Sequence, residues 1–253
     1  MSGPLGVMSV ILLEAAVGGA VVLWASGVWG AVRRGFFVLT GSTLALCAAG
    51  AWAITRGQVA GPEVTALGAF AALLVVWQVL LLARQEALSR AVGLAGAAAG
   101  VASLVLFGVV HGAQPGLAVA ELALGSLFLG STVFGLLLGH WYLVERRLSN
   151  AYMIRGAWWY VAGVVAAVGA AALSARNPAP DMGGGFSPVL VVPGFSVMLA
   201  VGLVAICALI AGFVWKLAQE GGRSIQAATG MFYLAVIMAF SAELSTKFRF
   251  FPA

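Results

Sequence analysis

The sequence predicts an all-α protein, a polytopic bundle of eight transmembrane helices with both termini on the outer side. Three observations carry that reading. Of the 253 residues 62% are hydrophobic and only 8% are charged, and the mean hydropathy is +1.07, a balance typical of a multi-span membrane protein and not of a soluble core. Apolar runs of membrane-spanning length recur along the whole chain. The charges fall between those runs, and their density alternates from one connection to the next.

The spans run from Gly6 to Trp29, Phe36 to Thr55, Val64 to Ala83, Ala91 to Val110, Leu117 to Val144, Ala157 to Ala175, Gly194 to Trp215 and Gln226 to Thr246. Each is near the ~20 residues that cross ~30 Å of hydrocarbon at ~1.5 Å per residue. They leave no room for a separate soluble domain, so residues 1–253 read as one integral membrane domain. Met1 to Val10 carries no Lys or Arg and leads into a run too long for a signal-peptide core, so the N-terminus is expected to be retained.

Alternate connections hold the positive charge. Arg33, Arg34, Arg84, Arg90, Arg146, Arg147, Arg155, Lys216 and Arg223 fall in the first, third, fifth and seventh connections, whereas Arg56, Arg176, Lys247 and Arg249 lie on the other side. By the positive-inside rule the richer set is cytoplasmic, which puts both termini outside. The prolines divide the same way, all of them on the outer side. The expected location is a cell membrane, with a bacterial inner membrane as the favoured setting. A net charge of +5 does not indicate nucleic acid, because the cations are scattered between apolar runs and form no water-facing patch.

The outer connection from Arg176 to Pro193 is long, rich in Pro and Gly, and contains Asp181 and the run Gly183, Gly184, Gly185. A disordered connector and a docking or lid segment are both open readings. No proline interrupts a span, which weighs against discontinuous transporter helices.

Three acids fall inside the spans: Glu14, Glu121 and Glu243. An ionisable residue at membrane depth is a functional-site candidate by default, since burying it alone costs ~2.5 to 3.5 kcal/mol. By the span assignment each lies nearer the outer end of its helix. Glu14 is about two turns into the first span, and Gly18 one turn further lets another helix approach the carboxylate. Glu121 begins a stripe of Gly125, Phe128, Thr132, Gly135 and Gly139 on one helix face. Near the outer interface it reads equally as a solvated acid favoured by the helix dipole. Glu243 precedes Lys247 by four residues, a spacing that suits a local ion pair. Gly135 with Gly139, and Gly96 with Gly100, have the spacing of close helix packing.

The histidines and cysteines bear on cofactors. His111 ends the fourth span outside and His140 lies near the inner end of the fifth, ~33 Å away at ~1.5 Å per residue, so the two cannot share one haem iron in a monomer. Cys47 and Cys207 are too few for an iron–sulfur cluster and lack the companions a zinc site needs. No haem, iron–sulfur or zinc site is therefore expected within the chain. His140, Trp141 and Tyr142, with Gln78 in the third span and Trp158, Trp159 and Tyr160 across the connection, read as an interfacial aromatic belt. The competing reading is a quinone headgroup site, which needs a few polar donors beside aromatic walls. A repeated Gly-Ser-Thr, six residues, Gly, one residue, Trp at Gly41 to Trp52 and at Gly130 to Trp141 lies at different depths in its two helices and reads as coincidence.

The run Leu13-Glu14-Ala15-Ala16-Val17-Gly18-Gly19-Ala20 and the ending Ala242-Glu243-Leu244-Ser245-Thr246-Lys247, in a chain of eight spans with both termini outside, resemble the membrane-anchor subunits of the DMSO-reductase and polysulfide-reductase type. In those subunits the first helix carries paired glycines, and a Gly-Glu near the end of the last helix is followed by arginine; here Ala242 and Lys247 stand instead. The resemblance implies a quinol-binding subunit that supports an iron–sulfur partner. The resulting expectation is an integral subunit of a respiratory electron-transfer complex, with an iron–sulfur or cytochrome subunit as partner and the lipid bilayer around it. Glu14, with Glu121 or Glu243, would take protons from quinol on the outer side, and His111 would hydrogen-bond the headgroup. A proton-coupled transporter or channel, and a purely structural membrane subunit, are the alternatives.

Overall fold

A computed structural model of the chain describes residues 3–112, 114–145, 147–176 and 194–247. Residues 177–193, with Asp181 and the glycine run, lie outside the described residues, as do Arg146, Arg249 and Pro252. Eight helices follow in order: α1 Gly3–Ala25, α2 Arg34–Arg56, α3 Pro62–Leu82, α4 Glu86–His111, α5 Pro115–Val144, α6 Asn150–Arg176, α7 Phe195–Glu220 and α8 Ser224–Lys247. No strand occurs among the described residues, and all eight helices are long and apolar enough to cross a membrane. The chain is an integral membrane protein of the expected class.

Boundaries follow local chemistry. Pro62 and Pro115 stand at the starts of α3 and α5, where a fixed φ is already helical and the missing N–H would have no partner anyway. The α1–α2 turn uses Gly27 at φ +67 and Gly30 at φ +77, so α1 ends at Ala25 and Trp29 falls in the connection and not in the first span.

The contacts divide the bundle into two groups of four. α1 to α4 pack in sequence and close through α1 against α4; α5 to α8 do the same and close through α5 against α8. The groups meet chiefly along α1 and α5, with α4 against α5 and α8 against α1 beside that seam. Of the most apolar 18-residue stretch, 78% is buried in α1 and 67% in α5, against 33% in α7. α1 and α5 are therefore interior helices. The outer surface is apolar, with Leu46, Val144, Met198 and Leu209 exposed.

Lipid is as apolar as leucine, so helices associate here through close packing and interhelical polar contacts. Where α1 crosses α5, a methyl group on Gly18 would overlap the Ser126 backbone, and one on Gly130 would overlap the Gly18 backbone. The expected α5 stripe is wholly interior, but its glycines make room for side chains: Gly135 for Phe232 and Gly139 for Thr229, both on α8. Gly100 likewise admits Phe70 of α3. The backbone-to-backbone contact falls at Gly130, beside that stripe. The two copies of the Gly-Ser-Thr motif have unrelated surroundings, since Gly41 meets Trp77 and Gln78 side chains whereas Gly130 meets α1. Ser9 of α1 and Thr55 of α2 add an interhelical hydroxyl pair at 2.6 Å.

Candidate functional site

Lys247 closes the last turn of α8 and is 0% exposed. Its Nζ lies 3.0 Å from Glu14 Oε1, 3.3 Å from Glu243 Oε2 and 3.5 Å from Glu121 Oε1. The three acids come from α1, α8 and α5, and they are 0%, 4% and 1% exposed. One helix supplies the ammonium and an acid at i,i+4, and the seam between the four-helix groups supplies the other two acids.

Local structure makes this convergence possible. Gly125 lies one turn after Glu121 on the same face of α5, and a Cβ there would come within 2.6 Å of Glu14 Oε1 and 2.9 Å of Glu243 Oε2. The absence of a side chain opens the space in which the carboxylates meet. Ser245 and Thr246 direct their hydroxyls back to the carbonyls of Ala242 and Glu243, which helps satisfy the last turn of α8 away from water.

Removing each charge from water costs several kcal/mol even after relaxation, and mutual attraction offsets this only in close geometry. Three acids within 3.5 Å of one ammonium provide that geometry. Glu14 Oε1 faces Lys247, but Glu14 Oε2 is buried with no hydrogen-bond partner among the described residues. A buried carboxylate oxygen in that state is placed to accept a proton or a donor hydrogen.

This geometry changes three expectations. Glu121 is not a solvated end-of-helix acid, because α8 and its lysine cover it. Lys247 is not a charge in an outer loop; it is the centre of the cluster, and its pairing with Glu243 is one contact of three. Glu14 is not nearer one end of its helix: α1 begins at Gly3, which puts Glu14 midway along it.

His111, in the last turn of α4, faces Glu63 of α3, with Nε2 and Oε1 3.8 Å apart. Its ring packs against Phe107 at 4.6 Å between centroids. A narrow crevice of about 10 Å³, lined by Val10, Phe107, His111, Ala118 and Leu122, lies between α1, α4 and α5. Val10 is one turn before Glu14 on α1, and Leu122 follows Glu121 on α5, so the crevice and the cluster draw on the same two helices.

The residues of the inner group turn to different neighbours. Successive residues on a helix point ~100° apart, and His140, Trp141 and Tyr142 go to three neighbours. His140 Nε2 lies 2.7 Å from the Tyr233 hydroxyl, Trp141 Nε1 donates to Glu145 Oε2 at 2.9 Å, and the Tyr142 hydroxyl donates to the Ser149 carbonyl. Gln78 sits against α2, donating to the Phe37 carbonyl at 3.5 Å. Trp158 is exposed and stacks edge-on with Trp215, whereas Tyr160 is buried and donates to the Cys207 carbonyl.

Sequence reasoning found the acids but missed the role of Lys247 and missed Glu63. An i,i+4 lysine at the end of an apolar span carried the first signal; Glu63, directly after the proline that opens α3, fell just outside the assigned third span. No family model, curated protein or solved structure matches this chain.

Proposed function

We propose that this chain is a proton-handling integral subunit of a quinone-linked respiratory complex, with Glu14 as the exchanging carboxylate. The observation that carries the reading is the convergence of Lys247, Glu14, Glu121 and Glu243 at one buried point. Buried ion clusters are poor devices for stability alone, because well-packed apolar residues serve as well or better. Ionisable groups kept at membrane depth mark ion, proton or substrate pathways.

In this reading a quinol is oxidised near His111 and releases two protons and two electrons. The electrons pass to a redox centre of a partner subunit, of the iron–sulfur or cytochrome kind. The protons pass to carboxylates, with Glu14 Oε2 as an acceptor and Lys247 as the fixed charge that steadies the anionic form. His111, backed by Glu63, hydrogen-bonds the quinol headgroup at the mouth of the crevice. In the assembled complex, Glu14→Gln is expected to slow quinol turnover at least tenfold, within the ~10²–10⁴-fold range of a lost acid–base group, while subunit association is unchanged. Unchanged turnover counts decisively against the reading.

A proton-coupled carrier is the second reading, favoured by the position of the cluster at the seam between two four-helix groups, where repeat-built carriers hold their sites. It predicts substrate-dependent proton flux in proteoliposomes containing this chain alone. A purely structural subunit would instead lose partner association on Glu14→Gln before losing any chemistry.

A further inference from the structure

At the opposite end of α1 from its N-terminus, the α1–α2 and α3–α4 connections border a recess of about 90 Å³. Trp29 and Phe37 form an aromatic wall, their rings edge-on at 4.8 Å. Arg34 and Arg84 line it from the two sides, with Gln85 and Ser89 as further polar groups and Glu86 as one opposing charge. Arg34 is held in place by donating from one nitrogen to the Leu81 carbonyl at 3.2 Å, which leaves the rest of its fork for another acceptor. Arg33 is engaged elsewhere, 2.9 Å from Glu145.

Arg84 has φ +61, alone among the non-glycine residues described. That region disfavours L side chains, and glycine would adopt it without cost. Strain of this kind clusters at ligand clamps. On either side of the connection that carries Arg84, Val79 and Leu82 of α3 and Leu88 of α4 are 59%, 63% and 54% exposed, an apolar track available to acyl chains.

We infer that this recess binds the headgroup of an anionic phospholipid, its phosphodiester between Arg34 and Arg84 and its acyl chains along Val79, Leu82 and Leu88. Guanidinium forks match phosphate oxygens in geometry and charge. A basic pocket between helices on the charge-rich face is a setting in which anionic headgroups are held. Free phosphate satisfies the guanidinium pair but makes no use of the apolar track. The site is independent of the glutamate cluster, which lies midway along α1.

The test uses the full chain in phosphatidylcholine nanodiscs titrated with phosphatidylglycerol, retained lipid being counted by native mass spectrometry. The wild type is expected to retain phosphatidylglycerol selectively, and Arg84→Gly and Arg34→Gln to weaken retention roughly five-fold each. Arg84→Gly also relieves the positive φ, so its thermal midpoint is expected to hold or rise, which separates lost binding from lost folding. Equal retention by wild type and Arg84→Gly overturns the proposal. Equal retention of phosphatidylcholine, or displacement of the lipid by inorganic phosphate at equal concentration, overturns it as well, the last by identifying a free-anion site.

Discussion

Lys247 Nζ and Glu14 Oε1, 3.0 Å apart, join the last turn of α8 to the middle of α1. The pair spans the seam between the two four-helix groups, and Glu121 of α5 shares the same ammonium. Removing the cation leaves three buried acids facing one another. Lys247→Met is expected to cost about 3–5 kcal/mol, the range for breaking a buried ion pair from one side. Adding Glu14→Gln, Glu121→Gln and Glu243→Gln should recover much of that loss, because the acids act as a unit. Thermal unfolding in detergent, followed by tryptophan fluorescence, measures both; a tolerated Lys247→Met would show that the cluster does not rely on its charge.

Gly125 tests the cluster without removing any ionisable group. Its missing Cβ leaves the space that Glu14 and Glu243 occupy, so Gly125→Ala must push one carboxylate away from Lys247. A cost of about 1–3 kcal/mol is expected from overpacking, together with a slower proton-transfer step. Carboxyl bands in difference infrared spectra should move with it, and bands identical to wild type would refute the assignment.

The helix crossing makes a second packing prediction. Gly18→Ala and Gly130→Ala place a methyl group against backbone that cannot rotate away, and each should destabilise by about 1–3 kcal/mol or more. Gly202→Ala, on α7, meets nothing within 4 Å and should be neutral or slightly stabilising, since alanine is favoured over glycine in a helix. Melting temperatures of the three variants suffice, with equal shifts for Gly18 and Gly202 as the adverse outcome.

The contact between His140 and Tyr233 joins α5 and α8 at the end of the bundle away from the glutamate cluster. Tyr233→Phe removes one exposed interhelical hydrogen bond, a contact worth about 0.6 kcal/mol on average in membrane helices. Under the proposed quinol reading it is expected to leave turnover within two-fold of wild type. A loss matching that of Glu14→Gln, read in the same quinol assay, would restore the inner aromatic group as a working site.

Much of this protein is legible along the chain because a bilayer imposes its demands locally. A run of about 20 apolar residues and a charge between runs are properties of single segments, so helix number and order follow from sequence. The acids stand out for the same reason: Glu14, Glu121 and Glu243 interrupt runs that should contain no charge. The partner of a charge is a different matter. Lys247 reads as a local partner of Glu243 alone until α8 is packed beside α1 and α5, and Glu121 reads equally as a solvated acid until α8 covers it. His140, Trp141 and Tyr142 are adjacent in sequence and diverge in space, while Glu14 and Lys247 stand near opposite ends and touch. Sequence determined which residues would be costly in the membrane; only the packing of α1, α5 and α8 decided that they offset one another, because attraction between charges depends on distances that helix crossings set.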